Sequence, residues 1–129
     1  MTGMLIDTDV LIDFLRGRPE ARDFIASLPR DVAVSTATVA ELYVGVREGR
    51  ERQALEDMLA TFRMLPLDAE AARQGGLLRR DYGKGHGVGL NDALIAATAL
   101  LHALPLATLN LKHYPMLNAG QLVEPYRKH

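Results

Sequence analysis

Apolar residues along the chain fall into two rhythms, short solid runs and longer stretches at helical spacing, and the two alternate. Met4-Leu5-Ile6 is a solid run that stops at Asp7-Thr8-Asp9, after which Val10, Leu11, Phe14 and Leu15 recur at helical spacing. A strand, a turn and a helix are expected there. Ala21, Phe24, Ile25 and Leu28 mark a second helix from Pro19 to Leu28, with the proline in the first turn and Pro29-Arg30-Asp31 as the break. Val32-Ala33-Val34-Ser35 predicts a buried strand, and Ser35 or Thr36 can cap a helix running to about Glu48 on a stripe of Val39, Leu42, Tyr43 and Val46. Gly49 is expected to end that helix, and Leu55, Met58, Leu59 and Phe62 to form the core face of the next.

The alternation continues. Arg63-Met64-Leu65-Pro66-Leu67 predicts a third strand, and Asp68 a cap for a helix to about Tyr82. Gly83 to Gly89 holds four glycines in seven residues and predicts a loop, without the Lys-Ser/Thr ending of a phosphate-cradling Walker loop. Asn91-Asp92 opens a nearly all-apolar helix to about His102; Pro105 to Leu109 predicts a fourth strand and Gln121 to Glu124 a fifth, at an edge. Strands alternating with helices predict an α/β fold, with a central parallel sheet between two layers of helices, as one domain over residues 1–129.

Composition narrows the classes. At 129 residues and 48% hydrophobic, the chain can bury a core without staples. The absence of cysteine removes disulfides and thiolate metal sites and makes a cytoplasmic location the expectation. Met1-Thr2-Gly3-Met4 lacks the basic flank of a signal peptide, and Ala93 to Leu101 is too short to span a bilayer, so no membrane role is expected. Fifteen basic against sixteen acidic residues leave a net charge of −1, which is no basic footprint for a polyanion. A divalent cation on the acids would bring the charge such a partner meets to about +1.

Three acids stand where elements meet the sheet. Asp7 follows the first strand, at the carboxyl end where ligands bind in open parallel sheets. Asp9, immediately before the helical pattern, is the better candidate for a purely structural cap. Glu41 flanks the core stripe of its helix, and Gly45 one turn on leaves open space above it. Asp92 is the single Asp, Glu, Lys or Arg between Lys84 and Lys112, and the helix dipole favours its ionised form. Mg²⁺ and Mn²⁺ take hard oxygen ligands, so such a set suits either ion, and either can activate a water and neutralise charge on a phosphate.

Four stretches carry a resemblance: Leu5 to Ile12, Thr38 to Gly45, Asn91 to Ala99 and Leu106 to Tyr114. In order and spacing they resemble the PIN-domain nucleases, and within them the VapC-type toxins of toxin-antitoxin pairs. The resemblance implies a PIN-like fold and a Mg²⁺- or Mn²⁺-dependent endoribonuclease in which Asp7, Glu41 and Asp92 hold the metal. It also implies an RNA substrate, a cognate antitoxin and a homodimer. Thr8 and Asp9 match positions lining the same site. His113 stands where many members carry an acid, leaving Asn110 as the nearest further candidate; His113 reads as a surface residue, with a phosphate contact as the alternative. The apolar content of Val10 to Leu15, Pro19 to Leu28 and Arg52 to Phe62 makes those helices the expected antitoxin surface.

Two other classes share some of these features. Asp7-Thr8-Asp9 after a first strand also resembles haloacid-dehalogenase-type phosphatases, where Asp7 would be the nucleophile; a suitable later lysine and room for a cap domain are missing. A non-catalytic, receiver-like metal-binding module would use a similar sheet, but the third strand ends in Leu65-Pro66 without an acceptor Asp.

Overall fold

The computed structural model describes residues 3–28 and 31–127; Met1 and Thr2, and the Pro29 and Arg30 of the expected break, lie outside the described residues. Five strands form one parallel sheet in the order β3-β2-β1-β4-β5: β1 (Met4–Ile6), β2 (Val32–Ser35), β3 (Arg63–Leu65), β4 (Leu106–Ala107) and β5 (Leu122–Val123). The first strand is central because Met4, Leu5 and Ile6 are all buried. That is the environment a solid apolar run demands and an edge cannot supply. The alternation of side chains along each strand sorts them into two cores. Ile6, Val32, Val34 and Ala107 face one core; Leu5, Ala33 and Leu106 face the other.

Helices cover both faces. The first core is closed by α1 (Thr8–Leu15) and α4 (Arg50–Leu59), with α2 (Pro19–Ser27) packed against α1. In α4, Leu55, Met58 and Leu59 are the buried residues, and Phe62 packs beside them, as the spacing predicts. The second core is closed by α6 (Leu90–Leu101), on which α5 (Ala69–His86) lies. Between the layers, α3 (Thr36–Val44) gives Leu42 to the first core and Ala37 to the second. Its buried residues are therefore not a single stripe. Tyr43, expected inward, is exposed and donates its hydroxyl to Glu56 Oε2 at 3.0 Å.

Boundaries differ from the sequence expectation in physically legible ways. Ser35 caps α3 through Ala37 N–H at 3.1 Å, but the helix stops at Val44 with Gly45 as its C-cap, and Gly49 opens α4 instead of closing α3. The glycine-rich segment from Gly83 to His86 is helical, not a loop. Glycine weakens a helix by about 1 kcal/mol per residue but removes no hydrogen bond, so the ladder of α5 can run on through it. The helix ends at Gly87, whose φ of 67° is left-handed and whose N–H returns to Gly83 O at 3.1 Å. Gly75 marks where α5 and α6 come closest, since a Cβ there would stand 3.1 Å from Leu94 Cα. β3 and β4 are shorter than expected, although Leu5 N–H to Pro105 O and Thr108 N–H to Val123 O carry the β4 pairing one residue each way.

Candidate metal centre

All strands being parallel, Asp7, Ser35 and Thr108 emerge on one edge of the sheet. The chain leaves β1 toward β2 on one side, while β4 pairs on the other, so the crevice between the carboxyl ends of β1 and β4 is the switch point of the fold. Asp7 and Thr108 are its two lips. Asp7 is 5% exposed and accepts three hydrogen bonds: from Thr8 N–H on Oδ1 at 2.8 Å, and from the hydroxyls of Thr108 and Tyr114 on Oδ2, each at 2.8 Å. It is also the N-cap of α1, the structural part the sequence assigns to Asp9. Asp9 instead lies in the first turn and ties the crevice from the other side, accepting from Leu109 N–H at 3.1 Å and Asn110 Nδ2 at 3.0 Å. Its Oδ1 is buried and finds no hydrogen-bond partner among the described residues.

Glu41 arrives from α3. Its Oε1 accepts from the Thr8 hydroxyl at 2.7 Å, and that hydroxyl is 3.1 Å from the buried Thr38 hydroxyl. A Cβ built on Gly45 would meet nothing within 4 Å, so the space beside Glu41 is open. It continues into a groove of about 540 Å³ lined by Ile12, Leu15, Arg16, Glu41, Val46 and Leu55 among others. Asp92 arrives from the first turn of α6. Neither it nor Asn91 caps that helix; the N-cap is Gly89, without a side-chain bond. The carboxylate is thus left facing the crevice, 3.4 Å from the Tyr114 hydroxyl and 3.3 Å from His113 Nδ1. His113 is exposed, as expected for a surface residue, yet it is also part of the cluster.

Every site residue singled out in the sequence therefore reaches this edge, and two residues join the acids: Thr8, with its N–H on Asp7 and its hydroxyl on Glu41, and Tyr114, with its hydroxyl 2.8 Å from Asp7 and 3.4 Å from Asp92. The acids do not close on one point. Among the described residues no three carboxylate or imidazole groups stand close enough to hold an ion as they are. Donors placed between like charges reduce their repulsion. Thr108, Thr38 and Tyr114 were not recognised as site residues in the sequence. The available signal was the hydroxyl itself, which must find a partner once the ring or strand end is buried.

The electrostatics favour a cation. Burial, aided by the neighbouring Asp9 charge, pushes the Asp7 carboxyl up to about 7 against the lowering effect of its hydrogen bonds. Burial raises Asp9 as well. Asp92 is raised by burial, opposed by His113 and reinforced by Glu41. Burial and then the Asp7 and Asp92 charges push Tyr114 upward, so it stays a neutral donor. Hard carboxylate oxygens, an orphaned buried Asp9 oxygen and acids that resist ionising together fit a hard divalent cation.

Fold and cluster define a class: parallel α/β proteins with an acidic crevice beyond the central strand. The sequence profile of the PIN domain matches residues 4–114. The chain belongs to the PIN domain family. It is 44% identical over 126 residues to Ribonuclease VapC10 of Mycobacterium tuberculosis, covering 95% of this chain and 92% of that protein. To Ribonuclease VapC19 of the same organism it is 40% identical over 126 residues, covering 95% and 98%. Among solved structures, it matches a chain of a toxin-antitoxin complex from Klebsiella pneumoniae with a TM-score of 0.83 at 34% identity, over 97% of this chain and 99% of that one.

Proposed function

We propose that the protein is a metal-dependent endoribonuclease, the toxin of a type II toxin-antitoxin pair, with Asp7, Glu41 and Asp92 holding Mg²⁺ or Mn²⁺. The observation that carries it is the set of these three acids joined through Thr8 and Tyr114 at the switch point, in a chain 44% identical to a ribonuclease over nearly its whole length. A bound divalent cation supplies positive charge against the scissile phosphate and acidifies the attacking water. The chain's own residues prepare for that. Thr8, Thr108 and Tyr114 orient the acids, and the burial that keeps Asp7 reluctant to ionise is relieved by positive charge. His113, exposed beside Asp92, is placed to meet a phosphate of the incoming RNA.

An antitoxin is the second partner in this reading, and a homodimer the assembly. The groove beside Glu41 is the place for an antitoxin segment. Its walls include α1, α3 and α4. Val10, Leu11 and Leu55 are core residues with no exposure, which leaves Ile12, Leu15 and Val46 as the partly exposed apolar contacts on offer. No helix among the described residues is long and apolar enough to cross a membrane. A haloacid-dehalogenase phosphatase reading gains nothing, because Asp7 is the N-cap of α1 and is held by three donors, with both of the side-chain hydroxyls on one oxygen.

The test is cleavage of an RNA panel with Mg²⁺ or Mn²⁺ by wild type and Asp92→Asn. Wild type should cleave, EDTA should abolish cleavage, and the variant should lose at least about 100-fold, as expected when a group acting on the transition state is removed. Equal cleavage by both proteins would remove Asp92 from the site.

A further inference from the structure

Tyr114 belongs to neither the acids nor the surface that meets substrate, and yet it touches two of the three acids. Its ring is 1% exposed in the second core, packed with residues of α6 and the sheet. Its backbone is fixed as well, since the N–H closes the turn onto Leu111 O at 3.1 Å. The hydroxyl therefore has little freedom to swing. It stands 2.8 Å from Asp7 Oδ2 and 3.4 Å from Asp92 Oδ1.

The other donors to Asp7 do less. Thr8 N–H and the Thr108 hydroxyl hold the carboxylate, and the latter reaches Asp9 at 3.4 Å, but neither contacts α6. Tyr114 is the side chain whose hydroxyl reaches both the acid after β1 and the acid at the start of α6, its one proton donated to Asp7 at 2.8 Å with Asp92 as the longer contact at 3.4 Å. With Thr108 and Tyr114 both on Oδ2, the two lone pairs of that oxygen are engaged. Oδ1, with the single Thr8 bond, is left as the oxygen free to ligate.

We propose that Tyr114 is a positioning residue for cation binding: its hydroxyl sets the spacing of the Asp7 and Asp92 carboxylates and turns Asp7 Oδ1 toward the ion. The inference rests on the metal-site reading above. Hydrogen bonds behind metal ligands fix their orientation, and losing one typically weakens metal affinity by about 10- to 100-fold. Tyr114→Phe keeps the ring and the core packing and removes only the link, so the fold should persist, with an unchanged far-ultraviolet circular dichroism spectrum as the check.

The measurement is Mn²⁺ binding to the full chain, stripped with EDTA and dialysed, by isothermal titration calorimetry and by electron paramagnetic resonance of free Mn²⁺. Wild type, Tyr114→Phe and Asp7→Asn are compared. The expected result is a dissociation constant raised by about 10- to 100-fold in Tyr114→Phe and binding lost in Asp7→Asn. If Asp7→Asn loses binding while Tyr114→Phe binds as tightly as wild type or more tightly, the positioning role is overturned and the metal site stands. If wild type binds no Mn²⁺, or Asp7→Asn binds as wild type does, the metal-site reading fails and this inference with it.

Discussion

At the scale of single residues, Asp7 carries an opposition between stability and activity. Its carboxyl titrates near 3.8 when unfolded and is pushed up to about 7 in the folded protein, first by burial. An acid whose folded value is raised contributes stability that is complete below the unfolded value and is lost as pH rises through the folded one. Between about pH 4 and 7, then, Asp7 should make the metal-free protein progressively less stable. The shift sets a ceiling of about 4 kcal/mol, at 1.36 kcal/mol per unit. Asp7→Asn escapes this penalty. Its carbonyl can accept from Thr8 N–H while its amide donates to the Thr108 and Tyr114 hydroxyls, which can turn to accept. In EDTA, the variant's melting temperature should exceed that of wild type by several degrees at pH 8, on the order of 2 kcal/mol of stabilisation, and the gap should close toward pH 4. A gap that does not vary with pH would mean that Asp7 is ionised throughout. Cleavage by the same variant should be lost.

Among the elements, the contact between α5 and α6 determines whether Asp92 is correctly presented, because α6 carries that acid in its first turn. Two adjacent glycines of α5 test the contact. A Cβ on Gly75 would meet Leu94 Cδ2 at 2.5 Å and Leu94 Cα at 3.1 Å, and backbone cannot yield as a side-chain tip can. Gly75→Ala should therefore destabilise by about 1–3 kcal/mol, the usual cost of overpacking. Gly76 meets nothing within 4 Å, so Gly76→Ala should stabilise by about 0.5–1 kcal/mol through helix propensity alone. Urea denaturation at constant m-value separates the two, and equal effects of both substitutions would mean that the helices are not packed as described. The stretch before Gly87 continues α5 although its local composition reads as a loop.

For the whole molecule, cation binding and assembly are the measurable consequences. With a dissociation constant of about 1 mM, roughly 10 mM Mg²⁺ would stabilise the native state by about 1.4 kcal/mol, on the order of 3–5 °C in melting temperature. Asp7→Asn should show much less of that shift; an equal shift would place Mg²⁺ elsewhere. Light scattering at micromolar concentration should give twice the chain mass of 14.2 kDa, and a mass of one chain would reject the dimer. Four tyrosines and three phenylalanines on a chain of charge −1 leave base stacking and counterion release weak, so under the proposed function RNA choice would fall to shape and to a second subunit. The sequence by itself determined most of the sheet and its helices, because a short apolar run bounded by turn residues suits a buried strand and helical spacing needs one covered face, as at Met4-Leu5-Ile6 and Leu55-Met58-Leu59. It also singled out Asp7, Glu41 and Asp92 as candidates, since they interrupt or flank apolar patterns at the sheet edge. Tertiary structure alone decided that Asp7 rather than Asp9 caps α1, that His113 faces Asp92, and that Thr108 and Tyr114 hold the cluster. The His113, Thr108 and Tyr114 contacts join positions 21 to 107 apart, and a contact over such a separation leaves no periodicity in the chain to be read.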